Sequence, residues 1–218
     1  MSSTSIRTNE LRQYRNIRRK TLSMAENLTA EQATFRTAAS SWSPGEILDH
    51  LVKSQQLYQT QFEKLAEIAR RGERPVLYLD HKDIDFGIPL VPKELMPLMA
   101  APLGLINAFV PSIVRETLIR NRVIPAGNPA ASQPGEHVAI DAVRQSLRDT
   151  MDAQEKFFDA NPDLPYENMR VCHPAIGNNN VPALLRISFL HEQRHQDQLA
   201  ELMKHPRFPK THENAAAL

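Results

Sequence analysis

Apolar residues recur at close to helical spacing over four long stretches of this chain, and that period predicts four long helices. The first runs from about Ile6 to Leu28, with Leu11, Tyr14, Ile17, Leu22, Ala25 and Leu28 along one stripe. The second, about Pro44 to Arg71, carries Ile47, His50, Leu51, Leu57, Tyr58, Phe62 and Leu65, so His50 sits on or beside its apolar face. The third, about Gly135 to Ala160, presents Val138, Val143, Leu147, Met151, Phe157 and Phe158. The fourth, about Val181 to Lys204, presents Leu184, Ile187, His191, His195, Leu199 and Leu202, which puts two histidines in an inward stripe.

Local signals punctuate this pattern. Thr29-Ala30-Glu31-Gln32 has the form of a capping box and predicts a short helix after the first long one. Ser43 followed by Pro44 is an N-cap with proline at the first helical position, which starts the second long helix. Pro206 and Pro209 stop the fourth helix, and the tail 205–218 reads as frayed. Residues 75–134 hold nine of the sixteen prolines and break the rhythm, an elaborated connection inserted into a single domain over 1–204. Within it, Leu95 to Val114 is twenty residues without a charge, long enough to cross a bilayer. Pro97, Pro102, Pro111 and Gly104 would break a lone spanning helix, so the run reads as a lid, an apolar pocket wall or a dimer contact, and no membrane partner is expected.

Composition agrees with an all-α reading. The chain has 218 residues, 41% of them hydrophobic, with a net charge of +1, which allows one sizeable core. Only seven residues are Gly, and long stretches are rich in helix formers. Lys and Arg are dispersed, without the basic stripe that nucleic acid requires; Arg15, Arg18, Arg19 and Lys20, the densest cluster, read as a solvated helix face. The single cysteine, Cys172, excludes an internal disulfide, and MSSTSIRTNE lacks the apolar core of a signal peptide, so a reducing cytoplasm is the expected setting.

Chemistry enters with His191-Glu192-Gln193-Arg194-His195, an H-E-x-x-H pattern that shuffling this composition would produce roughly 0.02 times. Residues i and i+4 share a helix face, so both imidazoles can reach one ion. Buried together they repel if protonated, whereas one cation satisfies both. A zinc protease would use Glu192 as general base, but the extended motif needs Gly at 198 and His at 201, where this chain has Gln198 and Glu201. Downstream, His212 and Glu213 lie in a short tail behind two prolines, and little strand is predicted for a substrate to pair with. The protease reading is therefore the weakest. Taken alone, His50 reads as a hydrogen-bonded core residue more readily than as a ligand.

Three blocks nevertheless belong together: Trp42-Ser43-Pro44-Gly45-Glu46-Ile47-Leu48-Asp49-His50-Leu51, then His173-Pro174-Ala175-Ile176-Gly177, then His191 to Leu199. In that order they resemble the DinB-like (YfiT-like) metal-binding superfamily over most of the chain. The resemblance implies a four-helix bundle in which His50 from the second helix and His191 and His195 from the fourth hold one divalent metal. It also implies a homodimer and, from some members, transfer or isomerisation of a low-molecular-weight thiol adduct. The helical pattern is compatible with this, because facing helices of a bundle commonly supply ligands to a site in its core. Three neutral imidazoles leave at least one coordination position for water or substrate, as a reactive site requires, and they suit zinc, nickel or iron.

The expected function is a metal-dependent thiol S-transferase acting on a small molecule, with no catalytic side chain assigned; the alternative is a non-catalytic stress-response protein with a structural metal. Among the neighbours, Glu46 either holds the second ring nitrogen of His50 or serves the helix dipole. Glu192 points about 100° away from His191 and reads as a supporting or surface residue. Gln198 is a candidate cavity lining, Arg194 a partner for a carboxylate on an adjacent helix, and Cys172 an inert buried thiol.

Overall fold

The structure, a computed structural model, describes residues 3–79, 130–135, 138–173 and 176–210. The uncharged run 95–114 and most of the proline-rich connection lie outside these residues. The protein is mostly helical: α1 spans Ser3–Glu26, α2 Ala30–Thr34, α3 Pro44–Arg70, α4 Ile140–Ala160 and α5 Val181–Met203. The strands β1 (Val76–Tyr78), β2 (Arg170–His173) and β3 (Gly177–Asn180) form one small sheet. No helix among the described residues is long and apolar enough to cross a membrane.

Helix boundaries follow the cap chemistry. Thr29 and Gln32 form the capping box of α2, and Ser43 and Glu46 form that of α3, each satisfying orphan backbone donors at a first turn. Gly72, at φ +75°, ends α3 in the left-handed conformation that glycine adopts without a Cβ penalty. α4 begins at Ile140, later than the Gly135 that periodicity predicts. The Gly135 amide instead donates to Asp49 Oδ2 on α3 at 2.8 Å. α5 opens on Asn180, whose Oδ1 accepts from the Ala183 amide at 3.0 Å, with Pro182 in the first turn.

The sheet amends the all-α expectation. β1 pairs parallel with β2 (Val76 opposite Arg170), and β2 pairs antiparallel with β3 (Arg170 opposite Asn180). Strands of three and four residues are too short to show a period, and Gly-Asn-Asn-Asn in β3 is poor in strand formers, so the ladder rests on long-range pairing. Residues 205–210 also depart from the frayed tail that was expected. Gln32 Nε2 donates to the Pro209 carbonyl at 2.8 Å, and Phe208 packs edge-on against Phe35 at 5.3 Å.

Among the long helices, α1 packs on α4 and α5, and α3 packs on the same two. Their contact surfaces divide into two apolar clusters. One gathers Leu48, Leu51, Val143, Leu147 and Leu199; the other gathers Phe62, Leu65, Phe158, Leu184 and Leu185 with Tyr166, Met169 and Val171 from the sheet end. Between them each long helix contributes buried polar residues: Arg18 and Thr21 on α1, Gln55 on α3, Gln154 on α4, and Ser188 and Glu192 on α5. This polar layer interrupts the core and places chemistry at mid-height.

Candidate metal centre

The first turn of α3 is fixed before its histidine is reached. Glu46 Oε2 accepts from the Ser43 amide at 2.8 Å, and Glu46 Oε1 accepts from Arg36 Nη2 at 2.6 Å. Gly45 lets α2 lie close, since a Cβ there would stand 3.0 Å from the Ala33 carbonyl oxygen. One turn on, His50 points into the core and is 1% exposed. From the other side α5 rises from the sheet, and about 16 Å along it His191 and His195 present one face to His50.

The three imidazoles converge. His50 Nε2 and His195 Nε2 each lie 3.2 Å from His191 Nε2, and one ligand atom from each ring fits within a common 4.8 Å separation. Outer partners fix two of the tautomers. His50 Nδ1–H donates to the Ser132 carbonyl at 2.6 Å, and His195 Nδ1–H donates to Gln198 Oε1 at 3.0 Å. Both Nε2 atoms are therefore unprotonated, as in a metal-bound histidine that gives its second ring N–H to an oxygen.

Electrostatics keep His50 and His191 in the neutral form that binds metal. Burial lowers the His50 pKa to about 4 against the pull of the Ser132 carbonyl, with nearby Arg194 adding to the lowering. Burial, then the neighbouring His195, His50 and Arg194, holds His191 well below the ordinary histidine value. Neutral imidazole is the ligand form, so no proton need leave these rings at neutral pH. Trp42 walls the centre, its ring centroid 4.9 Å from that of His50 and 6.2 Å from that of His195.

The neighbouring side chains divide among separate tasks. Glu46 serves the helix cap and Arg36 and does not hold His50, whose Nδ1 is taken by Ser132. Arg194 Nη2 donates to His195 Nε2 at 2.9 Å, so the guanidinium engages the lone pair that a metal would take and has to turn aside before all three rings can share an ion. Gln198 orients His195. Cys172 lies in β2 opposite Tyr78 and Asn178, outside the histidine cluster. His173 accepts the Ile176 amide at Nδ1, 3.3 Å away, across the β2–β3 turn.

The largest correction concerns Arg18 and Glu192. Arg18 belongs to no solvated face: it is 1% exposed, and its Nε lies 2.9 Å from Glu192 Oε1 in a buried ion pair. Burial disfavours the Arg18 cation, but Glu192 and Tyr14 more than offset this and raise its pKa. Thr21 Oγ1 donates to Glu192 Oε1 at 2.5 Å, Arg18 Nη1 donates to Thr150 Oγ1 at 3.1 Å, and Gln196 Nε2 donates to Thr21 Oγ1 at 2.9 Å. Glu192 is thereby committed to α1, about 100° round α5 from His191, and is not placed to act as a protease base.

The three metal-ligand candidates are thus brought together, while three contributors were missed. Arg18 carried a readable signal, since it continues the Tyr14–Leu22 row of the inward stripe at i+4 spacing. Trp42 stood inside the block that suggested the family. Ser132 acts through its backbone across 82 positions and left no signal in side-chain pattern. Comparison with known proteins adds one match: a family model described as the DinB superfamily covers residues 13–199. A search of curated proteins and a search of solved structures return no match.

Proposed function

The chain belongs to the DinB superfamily, and from that premise we propose that His50, His191 and His195 hold one divalent metal ion, zinc, nickel or iron, in a thiol S-transferase. The observation that supports the metal most directly is the convergence of the three Nε2 atoms, with outward Nδ1–H donors on His50 and His195 leaving both Nε2 atoms unprotonated. α1, α3, α4 and α5 are read as a four-helix bundle, in keeping with their pairwise contacts and with the family. When bound, the ion supplies Lewis-acid polarisation and holds a sulfur nucleophile as thiolate. The chain's own part is to orient and shield. Ser132 and Gln198 fix ring tautomers, Trp42 covers one side of the rings, and Arg194 places a cation beside them, favourable to an anionic sulfur. A small-molecule substrate, a homodimer and a cytoplasmic setting complete the reading.

Metal analysis tests the first step. Protein purified without added chelator should carry a stoichiometric divalent ion, and a metal-free product that takes up none on titration would sink the proposal. A screen of low-molecular-weight thiols against electrophiles then tests the second. Turnover in the loaded protein is expected. Silence across the screen, together with loss of stability on chelation, would favour the alternative of a structural ion tying α3 to α5, which the burial of His50 and His195 also accommodates.

A further inference from the structure

The chain that leaves the far end of α5 returns to the histidines from outside. The His205 amide donates to the Leu202 carbonyl at 3.1 Å and the Phe208 amide to the His205 carbonyl at 2.8 Å, so these residues fold into tight turns. Pro206 and Pro209 fix φ at two positions, which lowers the entropy lost on ordering the segment. Side chains then attach it to α2 and the residues just after it. Gln32 Nε2 donates to the Pro209 carbonyl at 2.8 Å, and Arg207 Nη2 donates to the Thr37 carbonyl at 3.0 Å. The Phe35 ring meets both His205, at 5.5 Å between centroids, and Phe208, edge-on at 5.3 Å. Phe208 also packs against the apolar cluster that holds Leu28 and Ala33.

α2 is five residues long, too short to persist by itself in water, so its position depends on what holds it. The chain beyond it closes in a tight turn that ends on Trp42. The Ser41 amide and Ser41 Oγ donate to the Ala38 carbonyl at 3.0 and 2.7 Å, and Thr37 Oγ1 donates to Ser41 Oγ at 3.2 Å. Trp42 lies in turn against His50 and His195. The contacts therefore close a circuit that runs from His195 along α5 to Phe208, across to Phe35, and through Trp42 back to His195. We propose that residues 205–210 are a strap, with Phe208 as its positioning residue, that holds Trp42 over the histidines and so sets how fast an ion enters and leaves. The exchange of an ion rests on the reading that the three histidines bind one; the placement of Trp42 does not.

Trp42 is the only tryptophan of the chain, so its fluorescence reports on this wall alone. Acrylamide quenching of the full-length protein in chelator is the first test. Phe208→Ala should raise the quenching constant about twofold or more with the far-ultraviolet circular dichroism unchanged, and Phe208→Tyr, which keeps the ring, should restore it. In zinc-loaded protein, Phe208→Ala should speed zinc release to a chromophoric chelator about tenfold while the equilibrium affinity changes less than about threefold, because a wall that opens more often passes the ion both ways. If Phe208→Ala does not fold, Phe208→Leu, which keeps an apolar side chain without the ring, takes its place under the same criteria. Quenching equal to the parent's overturns the strap. Raised quenching with an unchanged release rate overturns its control of exchange, and so does an affinity that falls in step with release, since Phe208 would then be shaping the ligand geometry. A parent that binds no zinc removes the metal reading, and the quenching result alone then decides whether the strap holds Trp42.

Discussion

Two sets of buried polar groups leave the same two turns of α5 in different directions, and they solve the problem of burial differently. Glu192 and Gln196 turn toward α1, where Arg18, Thr21 and the Ile17 carbonyl satisfy them within the chain. His191 and His195 turn toward α3, where the group that meets them is a third imidazole with its lone pair inward. The first set is closed, with opposite charges and matched donors and acceptors. The second gathers three imidazole nitrogens around a point, with Arg194 donating to one of them, an arrangement that a metal cation can complete if the guanidinium turns aside. An H-E-x-x-H sequence thus divides by helical phase into an ion-paired half and a half that meets a third imidazole, although the letters suggest one unit.

The largest effect should come from the open set. His50→Ala removes the one candidate ligand that α5 does not carry, and metal affinity should fall by at least about a thousandfold, measured by competition with a chromophoric chelator. Unchanged affinity would mean the ion, if any, sits elsewhere. The closed set should answer in stability instead. Glu192→Leu strands the Arg18 guanidinium in the core, and such single losses cost about 3–5 kcal/mol. Urea unfolding should show that loss with the metal-free protein as reference; a variant as stable as the parent would mean that the pair is not buried in solution.

What was legible in the sequence follows the same division. The helices and caps could be read because their causes are local: Ser43, Thr29 and the apolar stripes act within a few residues. His50 could be joined to His191 and His195 only through family resemblance, since 141 positions separate His50 from His191 and no period links them. The Arg18–Glu192 pair was misread because charged residues were assigned to solvent by type, although the stripe already placed Arg18 inward. The sheet and the Ser132 contact depend on backbone groups, and every residue carries those, so side-chain pattern is blind to them.

Acid should act on the open set in a defined window. In the metal-free protein, His50 titrates near 4 when folded and at the ordinary 6.5 when unfolded. Between those values the unfolded chain binds more protons, so the histidine's contribution is complete above pH 6.5, declines as pH falls and is lost below about 4. The interval corresponds to about 3 kcal/mol, and His191, also lowered, adds to it with the same sign. Denaturant midpoints between pH 7.5 and 4.5 in the presence of chelator should fall accordingly, and should fall less in His50→Gln. A flat profile would mean the rings are solvated and the convergence is not maintained.

The smallest effect is the most discriminating. Replacing both partners of the closed set, in Arg18→Met with Glu192→Leu, removes the desolvation cost along with the attraction, and buried pairs replaced in this way are often neutral or better. Stability should stay within about 1 kcal/mol of the parent, far from the loss expected for Glu192→Leu alone, and the metal should still bind. That outcome would mark Arg18 and Glu192 as a replaceable means of burying polar groups. Retained stability with metal affinity reduced by about tenfold or more would instead show that the pair sets the rotation of α5 and so aims His191 and His195. The two halves of the pattern would then be coupled through the phase of one helix, and the closed set could no longer be treated as separate from the open one.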